Sequence, residues 1–126
     1  RFSLVTGVQT CALPIFMLKD ERRDAAKDYL FEAILSLETI EDCYNFFEDL
    51  CTIKELEEMA KRMCGAKMLD TCKVYTEISD NTGLSTATIS RINRCLKYGN
   101  GGYREIIRRL DRRGVRLPED DSKFNF

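Results

Sequence analysis

"YTEISDNTGLSTATISRINRCL", residues Tyr75–Leu96, has the pattern of two short helices folded about a tight turn. Such a pair needs apolar residues where the helices meet near a right angle, and Ile78, Leu84, Ile89 and Ile92 fall at those positions. Ser79 is small, as a close helix crossing demands. Gly83 stands in the turn, where a positive φ is required that glycine adopts without steric cost. Ser85 can cap the second helix, its hydroxyl accepting from a free amide of the first turn. Together these spacings predict a helix-turn-helix with segments over 74–82 and 86–96.

With Ile89, Ile92 and Leu96 turned inward, the opposite face of the second helix carries Ala87, Arg91 and Arg94, with Thr86 and Ser90 on its N-terminal flank. Small residues permit close approach to a duplex, and arginines can pair with guanine edges or phosphates in the major groove. The alternative is a non-DNA interaction module, the same fold docking a protein through its basic last helix. Strong salt dependence and an enriched DNA site separate the two.

Charge is divided along the chain in a way that the net charge of −1 conceals. Acids dominate from Met17 to Ala60. From Arg91 to Arg116 the bases Arg91, Arg94, Lys97, Arg104, Arg108, Arg109, Arg112, Arg113 and Arg116 face only Glu105 and Asp111. A basic end on a near-neutral protein points to a polyanionic partner. Histidine is absent, which removes the commonest general base and metal ligand. The cysteines form no C-x-x-C, so no metal site is expected. "GNGG" (Gly99–Gly102) lacks the strand of a phosphate loop, and no enzyme is expected. No apolar run is long enough for a membrane span.

The remaining segments read as helix. Between Lys19 and Leu37 apolar residues recur at helical spacing, with Ala26, Leu30, Phe31, Ile34, Leu35 and Leu37 on the expected face. Thr39 opens a second helix ending near Leu50, apolar most of the way round through Cys43, Tyr44, Phe46, Phe47 and Leu50. Such a helix needs cover on two sides, and a second subunit would supply it. "TIKE" (Thr52–Glu55) has the capping-box form and begins a helix with Leu56, Met59, Ala60, Met63, Ala66 and Leu69 inward, ending near Thr71–Lys73. A last helix from about Tyr103 turns Tyr103, Ile106, Ile107 and Leu110 inward and stops at Gly114, with Pro118 beyond.

"LCTIKELEEMAKRM" (Leu50–Met63) and "YTEISDNTGLSTATISRINRCLKYGNGGY" (Tyr75–Tyr103) resemble the Trp-repressor-like proteins of bacteria, relatives of the tryptophan repressor. The resemblance extends from about Asp28 to Leu110. It implies an all-α, six-helix fold with a helix-turn-helix, an intertwined homodimer with two reading heads, and a docking geometry that comes with the family. Its implied role is a cytoplasmic transcriptional regulator, a repressor, acting on double-stranded DNA. Thr86, Ala87, Thr88, Ser90 and Arg91 are the implied DNA contacts, and Arg94 and Lys97 of the same helix complete the expected set. "GLSTATISRINR" also resembles the reading head of LacI-type repressors, but the residues after it are too few for their sugar-binding domain.

In the tryptophan repressor two arginines sandwich the indole, and Arg62 and Arg91 match them as the expected effector pair. The residue after the second arginine is glycine in that repressor. Here it is Ile92, directed into the core, where it fills space the ligand would need. Tryptophan is therefore not the expected ligand; this branch uses another small-molecule effector or none, and no cofactor is expected.

The opening "RFSLVTGVQTCALPIF" is poor as a secretory signal, because Thr6, Gly7, Gln9, Thr10 and Pro14 break its apolar run. Residues 5–15 instead resemble the translation of a sequencing adapter. Residues 1–16 are thus expected to be non-native, residues 17–116 to form the helix-turn-helix domain, and residues 117–126 to form an acidic flexible tail.

Overall fold

The computed structural model of the chain describes residues 22–117 and residue 126. The expected non-native segment 1–16, the Lys19 start of the first helix and residues 118–125 of the expected tail, Pro118 included, lie outside the described residues.

Six helices and no strand make up the described chain: α1 (Ala25–Leu35), α2 (Ile40–Leu50), α3 (Ile53–Asp70), α4 (Tyr75–Thr82), α5 (Thr86–Tyr98) and α6 (Gly102–Arg112). The all-α, six-helix expectation holds. No helix among the described residues is long and apolar enough to cross a membrane. The chain divides into two compact units between Tyr44 and Asn45, within α2.

In the first unit the helix starts are set by short polar side chains. Asp24 accepts the Lys27 amide at 2.8 Å and caps α1. That hydrogen bond, with the nearby Lys27 ammonium, holds the Asp24 carboxyl below its ordinary range. The described chain is not helical at residues 22–24 in the α-sense, so α1 begins later than its apolar spacing predicts. At α2 the Asp42 amide donates to Thr39 Oγ1 at 3.0 Å, and Asp42 Oδ2 accepts the Glu38 amide at 3.1 Å. No residue of α1 or α2 is buried; Tyr29 is 81% and Leu35 77% exposed. Of the apolar residues expected to turn inward here, Leu30, Ile34 and Leu37 are half-buried, whereas Ala26, Phe31 and Leu35 are exposed.

In the second unit α3 is the strut on which α4, α5 and α6 all pack. Its start is the expected capping box, with Thr52 Oγ1 accepting the Glu55 amide at 3.2 Å and Glu55 Oε1 accepting the Thr52 amide at 3.3 Å. Thr52→Ala removes one of the two bonds and is expected to cost about 1 kcal/mol, read as a lower unfolding midpoint in urea. The end of α3 is a Schellman motif: Lys73 N–H donates to Met68 O and Cys72 N–H to Leu69 O, both at 3.0 Å. The left-handed residue at this stop is Cys72, at φ 64°. Gly114 plays the same part after α6, as expected, with Val115 N–H on Leu110 O at 2.9 Å.

The core joins Ala66 and Met68 of α3, Ile78 of α4, Leu84 of the turn, Ile89, Ile92 and Leu96 of α5, and Ile107 of α6. Two expectations change here. On α3, Ala60 is exposed whereas Gly65 and Met68 are buried, because the burying contacts fall on the C-terminal half of that helix. On α6, Ile106 is 43% exposed while Ile107 is buried. Adjacent helical residues point about 100° apart, so the neighbours that cover one do not cover the other.

Candidate nucleic-acid interface

Hydroxyl groups close the turn between α4 and α5 at several points. Ser79 Oγ donates to Leu84 O at 2.9 Å across the bend. The buried Thr82 donates from Oγ1 to Ile78 O at 2.7 Å and accepts the Leu84 amide at 3.2 Å. Gly83, at φ 77°, lies between them. Ser79 thus does more than permit a close crossing, and Thr82 lies outside the expected set. Each hydroxyl satisfies backbone groups that a reversal this tight leaves without helical partners.

Ser85 then caps α5. Its Oγ accepts the Thr88 amide at 3.2 Å, and its own hydroxyl donates to Thr88 Oγ1 at 3.0 Å. Below this cap the inward side of α5 is locked. Ile89 is fully buried, and Ile92 and Leu96 nearly so. Gly65 of α3 lets this happen: a Cβ there would stand 3.0 Å from Leu84 Cδ1 and 3.5 Å from Ile92 Cδ1. The α3 backbone, the turn and Ile92 are in contact at one point, which fixes the angle at which α5 leaves the domain. At the other end Asn93 Nδ2 donates to the Tyr75 hydroxyl at 3.2 Å, tying α5 to the start of α4.

This anchoring determines what α5 offers outward. Thr86, Ala87, Ser90, Arg91, Arg94 and Lys97 are all exposed, while Thr88 is half-buried in the cap. Arg91, Arg94 and Lys97 follow one another at three-residue spacing, so they form one stripe along the helix. None of the three enters an ion pair with a described residue. The cations of α6 differ: Arg108, Arg109 and Arg112 converge on Glu105 at 2.7, 3.1 and 3.8 Å. The Arg109 guanidinium, with the charges around it, holds the Glu105 carboxyl below its ordinary range. Tyr98, 82% exposed, continues the stripe seven residues after Arg91 and lies outside the expected set. Its sequence signal is that spacing.

Of the expected effector pair, Arg62 is half-buried on α3 and Arg91 is exposed on α5. The apolar cavity of about 440 Å³ beside Met63, Cys95 and Tyr103, and the groove of about 460 Å³ between α3, α5 and α6, are lined by other residues. Ile92 is buried as its packing predicts. The five cysteines of the described residues are all free, and burial pushes the Cys64 thiol up.

Comparison with known proteins adds a family to this geometry. The family model for Trp repressor protein matches residues 25–111. An uncharacterized protein of Bacillus subtilis (strain 168), YerC, is 48% identical over 91 residues, which are 72% of this chain and 88% of the relative. The crystal structure of a TrpR-like protein from Eubacterium eligens superposes with a TM-score of 0.70 at 43% identity, covering 79% of this chain and 99% of that one. That of a candidate Trp repressor from Staphylococcus aureus gives a TM-score of 0.69 at 44% identity, covering 79% and 96%.

Proposed function

The chain belongs to the Trp repressor family, and from that premise we propose that it is a sequence-specific transcriptional repressor, acting in the cytoplasm as a homodimer that reads the major groove with α5. One observation carries the reading: α5 is buried along one side, and its other side presents Arg91, Arg94 and Lys97 exposed and without an ion pair to any described residue. Three such cations along one helix face suit a polyanion whose counterions they can displace. Thr86, Ala87, Thr88 and Ser90 at the N-terminal end suit close contact with base edges, and Arg91 suits a bidentate contact with guanine.

Two further features belong to the proposal. The exposed apolar residues of α1 and α2 supply the surface on which a second copy would pack. Ile92 takes the place of a ligand: wedged beside Gly65, it sets α5 without a corepressor. The dimer therefore binds its operator with no small molecule at the Arg62–Arg91 position.

Selection from randomised duplex DNA, with the full chain, at low salt and without ligand, tests this reading. Enrichment of a two-fold symmetric sequence is expected, with half-sites about 34–36 Å apart or a multiple of that. On the selected site, Arg94→Ala or Lys97→Ala is expected to flatten the plot of log affinity against log salt by about one for each phosphate contact removed. Binding that is blind to sequence would defeat the claim that no corepressor is needed. No binding at all would leave the basic surface to a protein partner.

A further inference from the structure

Beside the reading face, with which it shares Lys97, the C-terminal end of α3, the second half of α5 and α6 line the groove of about 460 Å³. Leu69 lines it with Leu96 and Ile107, both nearly buried. The exposed Lys97, Arg104 and Arg108 line it too. Arg104 and Arg108 are four residues apart on one helix face, an arrangement of like charges that is unfavourable by itself. The acids that line the groove, Asp70 and Asp111, offset it only in part. Asp111 gives both oxygens to Lys67, at 2.8 and 2.9 Å. Asp70 enters no ion pair with a described residue, and neither do Lys97 and Arg104. Arg108 has only Glu105, which it shares with Arg109 and Arg112.

Lys97 and Arg104, neither in an ion pair with a described residue, beside a concave space of ligand size partly lined by Leu69, Leu96 and Ile107, favour a particular occupant. We infer that this groove binds a small molecule bearing a phosphate or carboxylate on an apolar body. The apolar part of the lining, Leu69, Leu96 and Ile107, would be left unfilled by inorganic phosphate. A recess is also a poor seat for the phosphates of a duplex, which projecting side chains meet more readily. Asn93 lines the same groove and is the residue that reaches the Tyr75 hydroxyl, so an occupant touches the helix pair itself. Its role as an effector rests on the DNA-reading proposal, whereas its binding does not.

The test is run on the full chain without DNA, following amide chemical shifts as phenyl phosphate, inorganic phosphate or benzyl alcohol is added. Phenyl phosphate is expected to bind saturably with shifts at Lys97, Arg104 and Ile107, and the other two probes to bind about tenfold more weakly or less. Loss of a charge-assisted hydrogen bond should make phenyl phosphate binding about tenfold weaker in Arg104→Ala, with part of the loss restored in Arg104→Lys. Arg104 is exposed and makes no ion pair with a described residue, so the unfolding midpoint should not move. No saturable shift, equal binding of inorganic phosphate, or shifts confined to Arg91 and Arg94 would each overturn the inference. So would unchanged phenyl phosphate affinity in Arg104→Ala; weaker binding of random duplex by that variant would then assign the cations to the DNA backbone.

Discussion

Ile89→Asp is expected to abolish the folded reading head, and with it all specific DNA binding. Ile89 is fully buried and shares the core with Ile78, Leu84 and Ile92. Truncating a buried isoleucine costs about 2–5 kcal/mol through lost burial and the cavity left behind. The introduced carboxylate adds the cost of an unpaired charge in an apolar site, several kcal/mol more. Against a total stability of about 5–15 kcal/mol for a small domain, that sum leaves α4 and α5 unfolded. The measurement is amide hydrogen exchange, in which protection across α4 and α5 should vanish. The burden should ease in acid. A buried carboxyl has a folded pKa above its unfolded value of about 3.9. The folded state then binds more protons, so the variant loses stability as pH rises through that window and is least handicapped below about pH 4. Protection that survives at pH 7 would place Ile89 outside the core.

The helix pair was legible because each of its devices is local. Gly83 and Ser85 mark the turn by residue type, and the three-residue spacing of Ile89, Ile92 and Leu96 assigns the buried side of α5. Once that side is assigned, the outward side follows from helical geometry. What escaped depends on partners distant in sequence. A glycine inside a helix looks merely unfavourable; that Gly65 is the point where Leu84 and Ile92 approach α3 appears only in three dimensions. Cys72 at φ 64° ends α3 without the glycine that usually announces such a stop. Ala60 and Ile106 follow the expected periodicity but lie where no described element covers them. The Arg62–Arg91 pairing came from the family likeness alone, and no periodicity in the chain bears on it.

Arg91→Ala is expected to leave the fold intact and remove most of the sequence discrimination. The guanidinium is exposed and makes no ion pair with a described residue, so nothing in the core depends on it. Alanine is also the better helix former at a solvent-facing position. The unfolding midpoint should therefore stay within about 0.5 kcal/mol of the parent. Specific binding should respond very differently. A bidentate arginine–guanine contact contributes about 1–3 kcal/mol of discrimination, and a dimer on a two-fold site loses it twice. The combined loss of about 2–6 kcal/mol corresponds to roughly 30-fold to 20,000-fold in affinity for the selected operator. Binding to random duplex should fall far less, because only a phosphate-range charge is removed there. Ile89→Asp and Arg91→Ala lie two residues apart on one helix, yet they should move opposite observables: stability in the first, discrimination in the second. If Arg91→Ala selects the same operator with the same preference as the parent, the reading face does not include Arg91, and the base contacts must come from the N-terminal residues Thr86, Ala87 and Ser90.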